Sequence, residues 1–279
     1  MMSLGARRIV VVKFGGSVLT DSAAYRPVAQ FLAKRIDGSS EEQIVAVVSA
    51  QEGLTDTLER VARDIKQEPN ASTLDLLWHT GELRSVALLT LHLEALGVPA
   101  VGLNVHETGL RAWPKDGVRR NFHVLCESLL ETLRRCSVVV VPGFFAVTRE
   151  ETIVSLGRGG SDLVAVLLAE ALGASACELV KDVSGYYTDD PHTYRKAQPL
   201  PFLSYAQAIA MAKRGCGLVQ KEALEAGTAA GLAIIVRNLA DDAPRTIVSA
   251  ARDVKGSSGT EASADAEGSS ACFAEELGE

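Results

Sequence analysis

Short apolar runs alternate along the chain with longer segments in which apolar residues recur at helical spacing. Two of these runs, Arg8–Phe14 and Val138–Pro142, are apolar on both faces, as expected of parallel strands that helices cover on both sides. Repeated strand–helix–strand order implies right-handed crossovers between parallel strands. The pattern therefore predicts an α/β fold, a three-layer αβα sandwich with an open, mainly parallel sheet.

The predicted elements occupy most of the first 250 residues. Strands are predicted over residues 8–14, 44–49, 99–103, 138–142, 152–156, 178–181 and 233–236. Helices are predicted over residues 24–36, 55–66, 72–96, 121–135, 162–172, 204–213 and 220–230. In a sheet of this kind, ligands bind beyond the carboxyl ends of the strands, where loops lead into helices.

Composition divides the chain into two parts. Of its 279 residues, 47% are apolar and 23% are charged, which is average globular usage and excludes collagen-like and wholly disordered chains. Residues 253–279 differ, since they are dominated by Gly, Ser, Ala, Asp and Glu, with seven acidic residues and one Lys. We therefore expect a folded domain over residues 1–252 and a disordered acidic tail that supplies most of the net charge of −7.

Charge and cysteine usage exclude several kinds of partner. With 35 acidic and 28 basic residues, the chain lacks the basic surface that a nucleic acid or an anionic membrane requires. No apolar run approaches the ~20 residues that span a bilayer, and the first residues do not form a signal peptide. Five cysteines without a CxxC pair are typical of reduced thiols. These features predict a cytoplasmic protein without a bound metal site of its own.

The first of three glycine-rich turns directly follows the first predicted strand. It contains Lys13, Gly15, Gly16 and Ser17. Paired glycines allow successive backbone N–H groups to converge on an anion, and a Lys supplies a mobile charge suited to phosphate. The alternative is an ordinary tight turn with a solvent-facing Lys.

The second turn contains Arg158, Gly159, Gly160, Ser161 and Asp162 and leads into a helix. Ser161 or Asp162 is predicted to cap this helix, whose first-turn N–H groups favour an anion, and Arg158 could pair with a carboxylate. Neither turn has the spacing GxxxxGK[ST] or GxGxxG, which excludes Walker-type and Rossmann dinucleotide sites. A Lys turn and an Arg turn together suit a site that holds both a phosphate and a carboxylate.

The third turn follows the second predicted strand and carries hydroxyl groups at Ser49 and Thr55. Thr55 could contact a ligand or could simply cap the next helix.

The long helix predicted over residues 72–96 contains Gly81 and Glu82. Because Gly inside a helix costs ~1 kcal/mol relative to Ala, Gly81 indicates close approach of another segment. Glu82 could receive a substrate ammonium, or it could be exposed and paired with Arg84 or Arg35. The five histidines form no catalytic pair and are expected to be surface or hydrogen-bonded side chains.

Several of these segments occur together in one known family. VVVKFGGSVL, VVSAQEGLTDTL, TGELRS, GRGGSD and VKDVSGYYTDDP appear in the order seen in aspartokinases of the amino-acid kinase superfamily. The chain thus resembles an aspartokinase catalytic domain over about residues 8–248. GRGGSD together with KDVSGYYTDDP is specific, whereas KFGGS is shared widely across the superfamily. The resemblance implies the amino-acid kinase (carbamate kinase-like) fold.

The resemblance also implies an activity, the phosphorylation of the side-chain carboxylate of L-aspartate by ATP with Mg²⁺. Such a transfer needs positioning and charge neutralisation rather than a protein nucleophile. The implied nucleotide-binding residues are Lys13, Gly15, Gly16, Ser17, Lys181, Asp182 and Tyr187. The implied substrate-binding residues are Ser49, Thr55, Glu82, Arg158, Gly159, Gly160 and Ser161. The implied catalytic residues are Lys13, Arg158 and Asp162.

The chain departs from the family pattern at positions near the nucleotide. Lys181 stands where the family has Thr, and Val18 stands where it has a second Ser. His192 replaces an Arg and Gly217 replaces a Lys, so two expected positive charges are missing. Three lysines could replace these charges, namely Lys181, Lys213 and Lys221. The alternatives to aspartate phosphorylation are a kinase for another amino acid or small carboxylate, and a catalytically silent nucleotide-binding homologue.

Two further expectations come from the same resemblance. The C-terminal regulatory domains of ordinary aspartokinases find no counterpart in this sequence, so inhibition by lysine or threonine through such domains is not expected. Since the superfamily commonly dimerises through the kinase domain, a homodimer is a plausible assembly.

Overall fold

Two β-sheets and the helices packed on them form the fold. The computed structural model describes residues 8–39, 42–115, 119–157, 159–189, 191, 193–240 and 243–250. Within these residues the larger sheet has eight strands, in the spatial order β10 (Phe202–Ser204), β12 (Thr246–Ser249), β11 (Ile234–Arg237), β9 (Ala176–Val180), β1 (Arg8–Phe14), β2 (Glu42–Val48), β6 (Val138–Pro142) and β3 (Ala100–Gly102). Neighbouring strands are parallel except for β11 and β12, which are antiparallel.

Helices cover both faces of the larger sheet. One face carries α1 (Tyr25–Gly38) and α3 (Ala71–Ala95), and α2 (Leu54–Ile65) lies against α3. The other face carries α4 (Glu127–Leu133), α5 (Gly160–Ala171), α6 (Tyr205–Lys213) and α7 (Lys221–Ala230). In β1, Val10 and Val12 pack in the first of these layers and Val11 in the second, because successive side chains of a strand point to opposite faces. The predicted αβα sandwich is confirmed.

A smaller sheet lies beside the larger one and was not predicted from the sequence. In the described residues it contains β5 (Arg119–Val124), β4 (Leu110–Lys115), β7 (Phe145–Val147) and β8 (Ile153–Ser155) in that spatial order. The strand predicted over residues 152–156 belongs to this sheet. A 3₁₀ helix, Val105–Thr108, connects β3 to β4.

The helix predicted over residues 121–135 is wrong in its first half. Residues up to Val124 form β5, which pairs antiparallel with β4, and only Glu127–Leu133 is helical. Phe122 and Val124 pack against the core while Asn121 and His123 are exposed, an alternation typical of a strand. The short strands β10 and β12 were also missed.

Two other expectations concern the acidic tail and membrane-spanning helices. The acidic tail predicted over residues 253–279 lies outside the described residues. In the part of the chain that the structure describes, no helix combines the length and the apolar character needed to cross a membrane.

Candidate active site

Strands β1, β2, β6 and β9 bring their carboxyl ends to one edge of the larger sheet. Phe14, the last residue of β1, pairs with Val48 of β2 on one side and with Val180 of β9 on the other. The next strand in the chain, β2, lies on one side of β1, whereas β9, from a later part of the chain, lies on its other side. The strand order therefore changes direction at β1, and open α/β sheets bind ligands at such a topological switch point. The loops that follow these strands carry most of the predicted site residues.

An acidic side chain joins two of these loops to each other. The Oδ1 atom of Asp162, at the start of α5, lies 2.7 Å from Nζ of Lys13 in β1. Its Oδ2 atom lies 2.8 Å from Nζ of Lys181, the residue that follows β9. The side chain of Lys13 is only 7% exposed, so the alternative of a solvent-facing Lys is wrong. The first and second glycine-rich turns are therefore neighbours.

The charges of this cluster shift the pKa values of Asp162 and Lys181. Burial by itself would raise the pKa of Asp162, but the ammonium groups of Lys13 and Lys181 outweigh it and hold this pKa to about 2. Burial lowers the pKa of Lys181, with Asp162 opposing that effect and Lys13 adding to it. Asp162 is thus a carboxylate at neutral pH, and it holds two cations at the end of the sheet.

The first glycine-rich turn leaves room for the ammonium of Lys13. A Cβ added to Gly15 would lie 3.0 Å from Nζ of Lys13, so the absence of a side chain there allows Lys13 to reach Asp162. Gly16 lies against the backbone of Ala50 in the third turn. The hydroxyl of Ser17 donates to Oδ1 of Asp182 at 3.1 Å, which ties this turn to the end of β9.

The second turn begins α5 with glycines in the left-handed region. Gly157 and Gly159 have φ values of 80° and 73°, and Gly159 is the N-cap of α5 without any side-chain cap. The prediction that Ser161 or Asp162 caps the helix is therefore wrong, because the carboxylate of Asp162 is engaged by lysines. Gly160 packs against Phe144. Arg158 lies outside the described residues.

Replacing Gly159 by Ala is expected to destabilise the protein more than the same change at Gly157. Both positions carry the cost of a left-handed residue, roughly 1–2 kcal/mol, but a Cβ at Gly159 would also lie 2.1 Å from Cγ of Gln220, whereas Gly157 has nothing within 4 Å. Thermal unfolding followed by circular dichroism measures both variants. Equal melting temperatures would contradict a close contact between this turn and Gln220.

Glu82 lies buried in α3 beside the same sheet edge, with 4% of its surface exposed. Burial raises its pKa to about 8, against the backbone amides of Ala50 and Gly143 and the charge of Lys13, which favour the carboxylate. Its Oε2 atom has no hydrogen-bond partner in the described part of the structure. A buried acid of this kind suits a ligand that brings its own positive charge.

The alternative of an exposed Glu82 paired with an arginine is wrong. Arg84 donates to Gln51 and Ser22, and Arg35 pairs with Glu42 and Glu178. The close approach predicted at Gly81 is present, since a Cβ there would lie 3.2 Å from Cβ of Ala50 and 3.3 Å from Cδ2 of Leu54. The small residue thus lets α3 pack directly on the third turn and presents Glu82 to it.

The remaining predicted residues lie around this edge. Ser49 is half-buried, and its backbone N–H donates to the carbonyl of Phe14 at 3.0 Å. Thr55 is the second residue of α2, whose N-cap is Gly53, so the alternative that Thr55 only caps the helix is wrong. Tyr187 is half-buried and forms a bridge with Pro199.

Sequence reasoning missed two contributors. Gly143, after β6, lies next to Glu82 and so close to α5 that an added Cβ would be 2.7 Å from Cβ of Ser161. The dipeptide that ends the apolar run before Gly143, Val-Pro, was the available signal of a turn there. His79, one turn before Glu82, is buried against Phe145, and its Nδ1 atom lacks a partner among the described residues. Its burial lowers its pKa to about 4.

A cavity opens where the second turn meets the start of α7. Its volume is about 290 Å³, and its lining includes Gly159, Gly160 and Gln220. Larger hollows, of about 500 Å³, lie along α3 and away from the lysine cluster. The chemistry at this edge therefore identifies the site better than cavity size does.

The residues present also fit a magnesium–nucleotide complex. Mg²⁺ prefers carboxylate, phosphate and water oxygens and usually keeps several waters. Both oxygens of Asp162 are engaged by ammonium groups, whereas Asp182 is exposed beside the first turn and is the carboxylate that could face the ion. Among the described residues, no cluster of three or more His, Cys, Asp or Glu side chains could hold a metal by itself. The nucleotide's phosphates would therefore supply most of the ligands.

Comparisons with known proteins agree with this geometry. The chain is 37% identical to an aspartokinase of Thermus thermophilus over 240 residues, which cover 86% of this chain and 59% of that protein. It is similar to the crystal structure of aspartate kinase from Synechocystis, with a TM-score of 0.74 and 33% identity over 87% of this chain and 40% of that one. It shares the fold of E. coli aspartokinase III in complex with aspartate and ADP, with a TM-score of 0.72 and 24% identity over 87% of this chain and 64% of that one.

These similarities cover nearly the whole described domain but only part of the other proteins. The chain spans about three fifths of the length of the curated relative it matches. A family model, described as the amino acid kinase family, matches residues 8–238. That span contains the lysine cluster, the three glycine-rich turns and Glu82, and the chain belongs to the amino acid kinase family.

Proposed function

We propose that this protein transfers the γ-phosphoryl group of ATP to the side-chain carboxylate of L-aspartate and forms 4-phospho-L-aspartate and ADP. The observation that carries the proposal is the contact between Lys13 and Asp162, because it makes the first and second glycine-rich turns neighbours. One turn is suited to a phosphate and the other to an amino-acid carboxylate. The similarity to aspartokinases supports aspartate as the acceptor.

The first turn would hold the phosphates. Backbone amides of Gly15, Gly16 and Ser17 and the ammonium of Lys13 would bind the oxygens of the transferred group, whose charge is spread over those oxygens in the transition state. An oxygen of the aspartate side chain forms the new bond to the γ-phosphorus, and the bond from that phosphorus to the bridging oxygen of ADP breaks. Bound Mg²⁺ would neutralise charge on the phosphates, and Asp182 is the protein carboxylate that would hold it.

The acceptor would be held at its opposite end by groups of opposite charge. Glu82 would receive the ammonium of aspartate, and Arg158 would receive the α-carboxylate, as the resemblance to aspartokinases implies. Gly159, Gly160 and Ser161 at the start of α5 and the hydroxyls of Ser49 and Thr55 would line the same pocket. Fixing both ends of a short molecule places its side-chain carboxylate, so the contribution to catalysis is positioning.

The nucleotide would extend from the first turn towards the end of β9. Lys181, Asp182 and Tyr187 follow that strand and would line the nucleotide, since Ser17 already contacts Asp182 at 3.1 Å. A homodimer through the kinase domain belongs to this proposal as well, and light scattering after size-exclusion chromatography measures its mass.

Hydroxylamine trapping tests the proposed reaction directly. Acyl phosphates react with hydroxylamine to give hydroxamates, which form coloured complexes with added Fe³⁺, so Mg-ATP and L-aspartate are expected to yield aspartyl hydroxamate together with ADP and phosphate. Glutamate, N-acetyl-aspartate and succinate serve as matched acceptors that lengthen the side chain, block the ammonium or remove it. Hydroxamate from another acceptor and not from aspartate would overturn the substrate assignment. Nucleotide binding without ADP release from any acceptor would instead indicate a catalytically silent homologue.

A further inference from the structure

The carboxylate of Asp162 is shared by two ammonium groups in a place that water hardly reaches. Lys13 and Lys181 lie 2.7 and 2.8 Å from its two oxygens, and the three side chains are 7%, 12% and 4% exposed for Lys13, Lys181 and Asp162. One carboxylate balances only one of the two cations. Since a buried charge without a counter-ion is unfavourable, the cluster is suited to receive a further anion.

The neighbouring acids do not balance this charge. Glu82 interacts with Lys13, but it is mostly protonated at pH 7 because burial raises its pKa to about 8. Asp182 also interacts with Lys181, but its carboxylate is exposed to solvent, which screens its charge, and its Oδ1 atom accepts a hydrogen bond from the hydroxyl of Ser17. The excess positive charge therefore remains at the buried end of the cluster.

Lys181 lies level with the first glycine-rich turn. Val180 pairs with Phe14 across β9 and β1, so the next residues on the two strands, Lys181 and Gly15, leave the sheet side by side. The backbone N–H of Lys181 donates to the carbonyl of Arg237 at 2.8 Å, which fixes the position of its backbone at this edge. Its ammonium is thus held beside the turn to which the phosphates are assigned.

The other lysines that could replace the missing cations lie elsewhere. Lys213 is exposed in the last turn of α6, and Lys221 pairs with Glu225 at 2.9 Å on α7, with 41% of its side chain exposed. Gly217 stands where aspartokinases carry a Lys, and a glycine has no side chain that could bind a phosphate. Of these lysines, Lys181 is the one that contacts Asp162.

We propose that Lys181 is a second phosphate-binding cation, which Asp162 holds in position until the nucleotide binds. When the nucleotide binds, the ammonium of Lys181 exchanges Asp162 for phosphoryl oxygens, while Asp162 keeps Lys13 in position. Lys181 then supplies a charge that this chain lacks at positions 192 and 217. This inference rests on the proposed function, since it takes the first turn as the phosphate site.

Isothermal titration of the full-length protein with ATP and with AMP tests the inference. Because a hydrogen bond to a charged group contributes on the order of 1.5–3 kcal/mol, Lys181→Met is expected to weaken ATP binding roughly 10- to 100-fold. AMP, which lacks the β- and γ-phosphates, is expected to bind the variant and the wild type equally. Lys181→Arg is expected to recover part of the ATP affinity, and Lys213→Met, which removes an exposed lysine, is expected to bind ATP like the wild type.

Thermal unfolding separates this role from a purely structural one. Asp162 keeps Lys13 in the Lys181→Met variant, so the ligand-free protein is expected to melt near the wild-type temperature while the ATP-induced rise in melting temperature shrinks. If the Met variant does not fold, Lys181→Thr is expected to show the same selective loss for ATP. Unchanged ATP affinity in the Met or Thr variant, or equal losses for ATP and AMP, would overturn the inference. Failure of the wild type to bind ATP would instead overturn the proposed function.

Discussion

Replacing Lys13 by Met is expected to lower kcat for aspartate phosphorylation by about three orders of magnitude, the scale on which removal of one buried charge-stabilising group acts. The Nζ atom of Lys13 lies 2.7 Å from Asp162 and beside the glycine turn assigned to the phosphates. Met retains most of the apolar stem and removes the charge. Phosphoryl transfer would therefore lose charge stabilisation at the reacting group while the core around β1 keeps its packing.

The comparison variant is Lys66→Met, which removes the same charge from an exposed position at the end of α2. Its kcat and melting temperature are expected to match those of the wild type. Coupled ADP-release assays at saturating ATP and aspartate measure kcat, and circular dichroism checks the fold. A Lys13→Met enzyme that folds and retains more than a tenth of the wild-type kcat would rule out a catalytic role for this lysine.

Replacing Glu82 by Gln is expected to raise the KM for aspartate roughly 10- to 100-fold, with a much smaller change in the KM for ATP. The amide keeps the shape of the carboxyl group but cannot carry the negative charge that would hold the substrate ammonium. Glu59→Gln is the matched control, since Glu59 is a partly exposed acid on α2 that pairs with Arg63 away from the candidate site. Equal increases in both KM values, or none, would contradict the assignment of Glu82 to the amino group.

The KM for aspartate is expected to depend on pH because Glu82 is buried. Its pKa of about 8 means that most molecules carry a neutral acid at pH 7 and must lose a proton to pair with an ammonium. Raising the pH from 6.5 to 8.5 is therefore expected to lower the KM for aspartate on the order of tenfold. The Gln variant should not show this dependence, because its side chain does not titrate in that range.

A rise in pH is expected to improve aspartate binding but to reduce the contribution of Glu82 to the stability of the fold. The pKa of Glu82 is raised in the folded protein above its ordinary value of 4.5, so its contribution to the free energy of unfolding is fully present below about pH 4.5 and is lost as the pH rises to about 8. The melting temperature of Glu82→Gln relative to the wild type should thus increase from pH 5 to pH 8.5. A constant difference over that range would show that Glu82 is not a buried, neutral acid.

Parts of the fold with a strong local pattern were predictable from the sequence. Strands β1 and β6 were predicted with their observed bounds because their β-branched runs leave few alternatives. Of the smaller sheet, only the strand over residues 152–156, which is β8, was predicted, and β7 has three residues, which is too short for periodicity to be measured. Residues 121–124 were assigned to a helix because the alternation of Phe122 and Val124 was not weighed against the helical pattern that follows.

In the candidate site, too, some features could be predicted from the sequence and others could not. Lys13, Gly15 and Glu82 could be named as candidates in advance because glycine-containing segments mark them and because the resemblance to aspartokinases implies roles for them. The surroundings of Lys13 and Glu82 could not be predicted, since the sequence also allowed both side chains to be exposed. The structure removes both alternatives by burying these side chains.

The sequence alone determined the α/β class, the central parallel strands and the positions of the glycine-rich turns, since these depend on residues within a few positions of one another. Only the tertiary structure decided that Asp162 joins Lys13 to Lys181 and that Glu82 is a buried acid. The physical reason is that charge pairing and burial depend on which distant segments meet. Residues 13 and 162 become neighbours only when parallel strands and the helix after the second turn pack at one edge of the sheet.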